Sequence, residues 1–185
     1  PFDHPLGLLF AVSDYFQAGG LHLQMASASP PQSGLGGSSI AAVAAIAAFA
    51  RLQEAAGAAP LSPNRMVLLA NTLETLVAGH PCGMQDHLAA VYGGVHVWHW
   101  PAAPAAAPYR AERLCDPLDP ADLERHLLLV YGGVPHASKD INGRWMAQFR
   151  AGTAREAWHR IIDATRSFVE AFRTNRFSAA AAAMN

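Results

Sequence analysis

Residues 30–56 read Pro30-Pro31-Gln32-Ser33-Gly34-Leu35-Gly36-Gly37-Ser38-Ser39, then Ile40-Ala41-Ala42-Val43-Ala44-Ala45-Ile46-Ala47-Ala48-Phe49-Ala50-Arg51-Leu52-Gln53-Glu54-Ala55-Ala56. A proline-stopped, glycine-rich loop runs straight into strong helix formers, which predicts a helix from Ile40 to about Ala56. Gly57 and Pro60 supply its C-terminal punctuation. The helix is apolar on nearly every side, so it is expected to be buried. Upstream, Leu21 to Met25 alternate apolar and polar residues, as a half-buried strand does.

The same loop has a chemical reading. Glycines let the backbone aim N–H groups at an anion and keep side chains out of its way. The helix start adds unpaired N–H groups and about half a positive charge. Serine hydroxyls can bond a phosphate oxygen or ligate Mg²⁺. The plain alternative is a flexible strand-to-helix connection. Two familiar nucleotide loops do not fit. No Gly-Lys-Ser/Thr follows, so it is not a Walker A loop. Counting from Gly34, the sixth place is Ser39, which breaks G-x-G-x-x-G.

Outward from the loop, Ser62-Pro63 is a second helix start, with serine as N-cap and proline at the first helical position. Met66, Val67, Leu69, Ala70, Leu73, Leu76 and Val77 form its apolar side, with Glu74 among them, and Gly79 ends it. His80 to Asp86 is a turn, and Asp86 is expected to cap a short helix, His87 to Val91. Val95 to Trp100, Tyr109 to Leu114 and Leu127 to Tyr131 read as strands, the last of a buried type. Pro101 to Pro108 holds only proline and alanine, as a linker or long surface loop does. A short helix start is expected at Asp119 to Glu124. Helices are expected near Gly143 to Phe149, Arg155 to Asn175 and Ala179 to Ala183. Tyr-Gly-Gly recurs at 92–94 and 131–133 without similar flanks, which is no repeat architecture.

The 185 residues suit about one domain, and 51% hydrophobic against 15% charged residues suits a real core rather than a disordered tail. Thirteen lysines and arginines against 14 acids leave a net charge of −1. That balance argues against nucleic acid or an acidic membrane held by bulk charge. Cys82 and Cys115 make no disulfide framework or metal spacing, so reduced thiols and a cytoplasmic setting are the simplest expectation. The nine histidines show no metal-ligand spacing either. The N-terminus shows no signal peptide, and the longest apolar run, Ile40 to Ala50, is short of the roughly 20 residues a membrane span needs. Pro1 is not a translation start, so the chain reads as a piece of something longer.

Two carboxylates complete the chemistry. Phosphoryl transfer needs an acid near the attacking hydroxyl and a metal bridging the nucleotide phosphates. Glu74 and Asp86 lie twelve residues apart across a helix end and a proline-glycine turn, which can fold them toward one cavity. The plain alternative is a capping aspartate and a solvated helix glutamate. Cys82 lies beside that turn without an obvious base and is read as a packed thiol. Trp98, Trp100 and Trp158 are core candidates.

Pro31 to Ser39 resembles the phosphate-binding motif of the GHMP kinases, roughly P-x-x-x-G-L-G-S/G-S-S/A, and most closely that of the sugar and heptose-phosphate kinase branch, similar to heptose 7-phosphate kinase and galactokinase. Cys82-Gly83-Met84-Gln85-Asp86-His87 resembles C-G-I-M-D-Q of galactokinases and G-K-Q-D-Q of heptose phosphate kinases, with His87 replacing the usual glutamine. The two motifs agree in order and spacing. The resemblance implies that Ser33, Gly34, Leu35, Gly36, Gly37, Ser38 and Ser39 bind the ATP phosphates. It implies that Ser38 and Glu74 hold Mg²⁺ and that Asp86 is the catalytic base or electrostatic stabiliser. Gly83 and Gln85 would contact substrate. Gly132 to Ser138, followed by Asn142 and Trp145, resembles a Y-T-G-x-P-H-x-S segment of sugar kinases, with Gly132 in place of threonine. It implies substrate contacts from His136 and Ser138. The alternative is a capped loop with Trp145 in the core.

The implied fold is two-layer α/β (α+β). Residues 1–100 would be a ribosomal protein S5 domain 2-like ATP-binding part lacking its first strands, 101–114 a linker, and 115–185 a truncated ferredoxin-like part. Neither the opening G-R-x-x-x-x-G motif nor the closing G-A-G-G-G motif of such kinases is found, so the chain resembles the middle of one. The implied function is ATP- and Mg²⁺-dependent phosphorylation of a hydroxyl of a sugar or sugar phosphate, a heptose 7-phosphate or a hexose such as galactose or fucose. No nucleic acid or membrane partner is implied, and a homodimer is compatible. A non-catalytic sugar- or nucleotide-binding relative of the same fold is the alternative, and a purely structural or oligomerisation role a third.

Overall fold

The computed structural model describes residues 2–30, 32–101, 107–114, 123–134 and 138–184. Its elements run α1 (Gly7–Tyr15), α2 (Gly37–Ala55), α3 (Pro63–Ala78), α4 (Gln85–Tyr92), β1 (His96–His99), β2 (Arg110–Arg113), α5 (Ser138–Ala151), α6 (Arg155–Arg173) and α7 (Phe177–Ala183). Helices with a small sheet place the chain in the α/β class. The chain divides into two units, Pro1–Gly93 with Gly132–Ser138, and Gly94–Tyr131 with Lys139–Asn185.

In the first unit, α1, α3 and α4 pack around α2. Gly36 is the N-cap of α2, left-handed at φ 68°, and its carbonyl accepts the first helical bond from the Ile40 N–H at 2.9 Å. The helix therefore starts three residues earlier than the sequence predicts, and Ser38 and Ser39 sit in its first turn rather than in the loop. Ala42, Val43, Ala45, Ile46, Phe49 and Ala50 are buried, a stripe at helical spacing. Val12 of α1 and Ala70 of α3 close the core around it. The helix is buried along this stripe, as expected, but not on every apolar side: Ile40 and Leu52 face outward at 46% and 54% exposure. An alanine-rich helix is narrow and apolar on every side, but only one broad face meets neighbours.

The α3 start follows its signals. Ser62 accepts from the Arg65 N–H at 3.4 Å, Pro63 is the first helical residue, and Gly79 ends the helix in the left-handed region at φ 69°. Val67, Ala70 and Glu74 make its buried line. The turn after it is tied back to α3 by Asn71, whose side-chain amide donates to the Cys82 carbonyl at 3.0 Å. At α4, Met84 is the N-cap and Asp86 is the second helical residue, so the expected capping role for Asp86 is corrected.

In the second unit, β1 and β2 pair antiparallel, His96 opposite Arg113 and His99 opposite Arg110. Glu112 on β2 gathers His99 at 3.0 Å and Arg173 from the end of α6. The packed α6 and α7 bury Ala171, Phe172 and Ala180. Two expected strands are corrected. Leu21 to Met25 and Leu127 to Tyr131 join no ladder among the described residues, and the latter are 47–89% exposed. A strand needs a paired edge for its N–H and C=O groups, and neither run has one among the described residues. Trp100 and Trp145 are about half exposed rather than core residues, at 50% and 51%. The helix start expected at Asp119 lies largely outside the described residues.

Candidate active site

The loop before α2 has an alternating backbone. Gln32, Gly34 and Gly36 lie at positive φ (56°, 76° and 68°), and the residues between them do not. Alternation of this kind turns successive N–H groups to one side, the geometry of an anion-binding nest. No backbone hydrogen bond is made by the N–H groups of residues 34–39 to another described residue. The nest ends on the tip of α2, where the helix contributes its own unpaired donors. Gly34, Leu35, Gly37 and Ser38 are exposed, and Ser33 and Gly36 half-buried.

Asp86 lies against this tip. A Cβ placed on Gly36 would come 2.8 Å from the Asp86 Cγ and 2.9 Å from its Cβ, so only glycine allows the approach. Asp86 is half-buried in the first turn of α4. Burial pushes its carboxyl above the ordinary 3.8; the neighbouring His87 pulls it down and the Glu74 charge raises it.

Glu74 reaches the same tip from α3. The Ser38 hydroxyl donates to its Oε1, and the Ser39 hydroxyl donates to Oε2 at 2.7 Å. Nε2 of His87 stands 2.8 Å from Oε2, close but off the axis of a hydrogen bond. Glu74 is 8% exposed, which corrects the solvated reading of this residue. Burial alone would raise its carboxyl. The contacts with His87, Ser38 and Ser39 outweigh that and hold it below the ordinary 4.5. A buried carboxylate is tolerated where donors replace its lost water, and here two hydroxyls do so, with the His87 ring close by.

Loop, Glu74 and Asp86 are therefore brought together. Gly83 and Gln85 are exposed beside them, and the Gln85 amide folds over Gly83, where an added Cβ would meet Oε1 at 2.2 Å. His136 lies outside the described residues, and Ser138 opens α5. Burial and the Glu74 charge push the Cys82 thiol above its ordinary 9.0, against a lowering bond with Thr75, which favours the protonated thiol. His87, fully buried beside the carboxylates, is what the sequence reading missed. The available signal was its position on the apolar face of α4, one residue before buried Leu88.

Residues 5–94 match the family model of the GHMP kinases N terminal domain. That match supports the GHMP kinase family for this segment of the chain. No curated protein and no solved structure gives a significant match. The GHMP kinase N-terminal domain fits a ribosomal S5-like fold, and members of the family are phosphotransferases that use ATP and typically Mg²⁺. The match therefore supports an ATP-dependent small-molecule kinase. Every residue of the loop, Glu74 and Asp86 falls inside the matched GHMP segment. No described helix is long and apolar enough to cross a membrane.

Proposed function

We propose that the chain transfers the γ-phosphoryl group of ATP to a hydroxyl of a sugar or sugar phosphate. The single observation that carries this reading is the meeting of Asp86 with Gly36 at the tip of α2. An acid that handles an alcohol's proton belongs beside the donors that hold the phosphates, and here only a glycine separates them.

The N–H groups of residues 33–39 receive the phosphate oxygens. Ser38 and Glu74 offer a hydroxyl and a carboxylate oxygen, hard ligands of the kind Mg²⁺ takes, so the donor set fits that ion. Held there, Mg²⁺ would offset the negative charge of the nucleotide phosphates. Asp86 accepts or orients the proton of the substrate hydroxyl, aligning it for in-line attack on the γ-phosphorus. Gly83, Gln85, His136 and Ser138 are assigned to the sugar side from the motif resemblance. A heptose 7-phosphate, galactose and fucose are the acceptors to try first.

The test is a coupled ADP-release assay over that panel with Asp86→Asn as control. The substitution keeps shape and removes the base, so turnover falls by about two to four orders of magnitude with little change in ATP affinity. Retained turnover removes Asp86 from the mechanism. ATP binding without ADP release on any sugar favours a non-catalytic binding relative instead.

A further inference from the structure

We infer that His87, together with Ser39, is a positioning residue that fixes the inner oxygen of Glu74 and leaves the outer one to exchange. The inference rests on the proposed function, because it concerns how Glu74 is presented to a metal.

The two oxygens of Glu74 have unlike surroundings. Oε2 faces Ser39, which is 4% exposed, and His87, which is fully buried. Oε1 faces Ser38, which is exposed in the first turn of α2. A cation arriving from solvent meets the Ser38–Oε1 edge first. Replacing the Ser38 proton there costs one hydrogen bond and leaves Oε2 held. Binding through one oxygen, with the other immobilised, follows from that asymmetry.

His87 also acts on the Asp86 charge, but its close polar contact among the described residues is with Glu74. Neither ring nitrogen has a hydrogen-bond partner among the described residues, and Glu74 is the carboxylate at hydrogen-bond distance. Buried polar atoms are rarely left unpaired, so an unpartnered ring beside a carboxylate points to that carboxylate as its reason for being there. His87 also follows Asp86 in the first turn of α4, where successive residues point about 100° apart. Holding His87 against Glu74 fixes the rotation of α4 about its axis. That rotation decides whether Asp86 lies on Gly36. One contact thus sets both acids.

The probes are Mn²⁺ and a non-hydrolysable ATP analogue, with affinity measured with and without metal by calorimetry and by water-proton relaxation. In His87→Leu, which keeps bulk and removes the nitrogens, the metal-dependent gain in nucleotide affinity drops about ten-fold, while metal-free binding to the loop is unchanged. His87→Gln places an amide nitrogen at similar reach and restores the gain. A merely structural role would weaken both kinds of binding together and would not be rescued. Should His87→Leu fail to fold, His87→Met, which also keeps bulk and removes the nitrogens, carries the same comparison. An unchanged metal-dependent gain in His87→Leu, or in His87→Met where that stands in for it, overturns the inference alone. A wild-type chain with no metal-dependent nucleotide binding at all overturns the proposed function as well.

Discussion

At the residue scale, Gly36 is the hinge of the site. Its φ of 68° lies in the left-handed region, and its missing Cβ leaves the space that Asp86 fills. Gly36→Ala meets both constraints at once. The left-handed conformation costs an L-residue about 1–2 kcal/mol, and the methyl group would stand 2.8 Å from the Asp86 Cγ. The loop or the acid has to move. The expected outcome is a fall in ATP affinity of about ten-fold, the conversion of roughly 1.4 kcal/mol, with a larger fall in turnover because Asp86 is displaced. Calorimetry and the ADP-release assay separate the two, and equal wild-type values in both would exclude the close approach. This part of the site was legible in the sequence, since Gly36 and Asp86 sit in two separated motifs. The Glu74 environment was only half legible. Its place on the Val67–Ala70 line of α3 announces burial, but no local signal tells that His87 and Ser39 arrive from two other helices to share one oxygen.

At the element scale, α2 does two jobs with one sequence. Its first turn carries the serines, and its later turns anchor the first unit through Ile46 and Phe49. Ile46 is fully buried, whereas Leu52, on the same helix, is 54% exposed. Ile46→Ala should therefore cost about 2–5 kcal/mol through lost burial and a cavity. Leu52→Ala should stay within about 0.5 kcal/mol. Denaturant melts of the two variants check this, and equal costs would mean the helix is packed on another face. Helices α2, α3, α6 and α7 were legible because their signals are local: Ser62-Pro63, Gly79 and apolar spacing lie inside each segment. The paired β1 and β2 were legible as well. Leu21 to Met25 and Leu127 to Tyr131 were misread because an apolar or alternating run states only that a strand could form. Whether an edge stands beside it is a property of other parts of the chain.

At the scale of the whole molecule, the chain carries a net charge of −1, and the proposed phosphate site at the tip of α2 offers oriented backbone dipoles rather than basic side chains. The loop, Glu74, Asp86 and His87 all belong to the first unit. Nucleotide should therefore protect that unit by mass action. At a ligand concentration 100 times its Kd, the stabilisation is about 2.7 kcal/mol, or roughly 100-fold slower exchange for amides that exchange through unfolding of the unit. Hydrogen exchange followed by mass spectrometry, with and without Mg²⁺ and a non-hydrolysable ATP analogue, reads this peptide by peptide. Peptides covering residues 33–50 and 67–92 should slow, those at 33–39 most, because their free N–H groups gain direct partners. Peptides from α6 and α7 should exchange at their ligand-free rates. Slowing confined to α6 and α7, or none anywhere, would leave the α2 tip without a phosphate to hold and return the chain to a purely structural role.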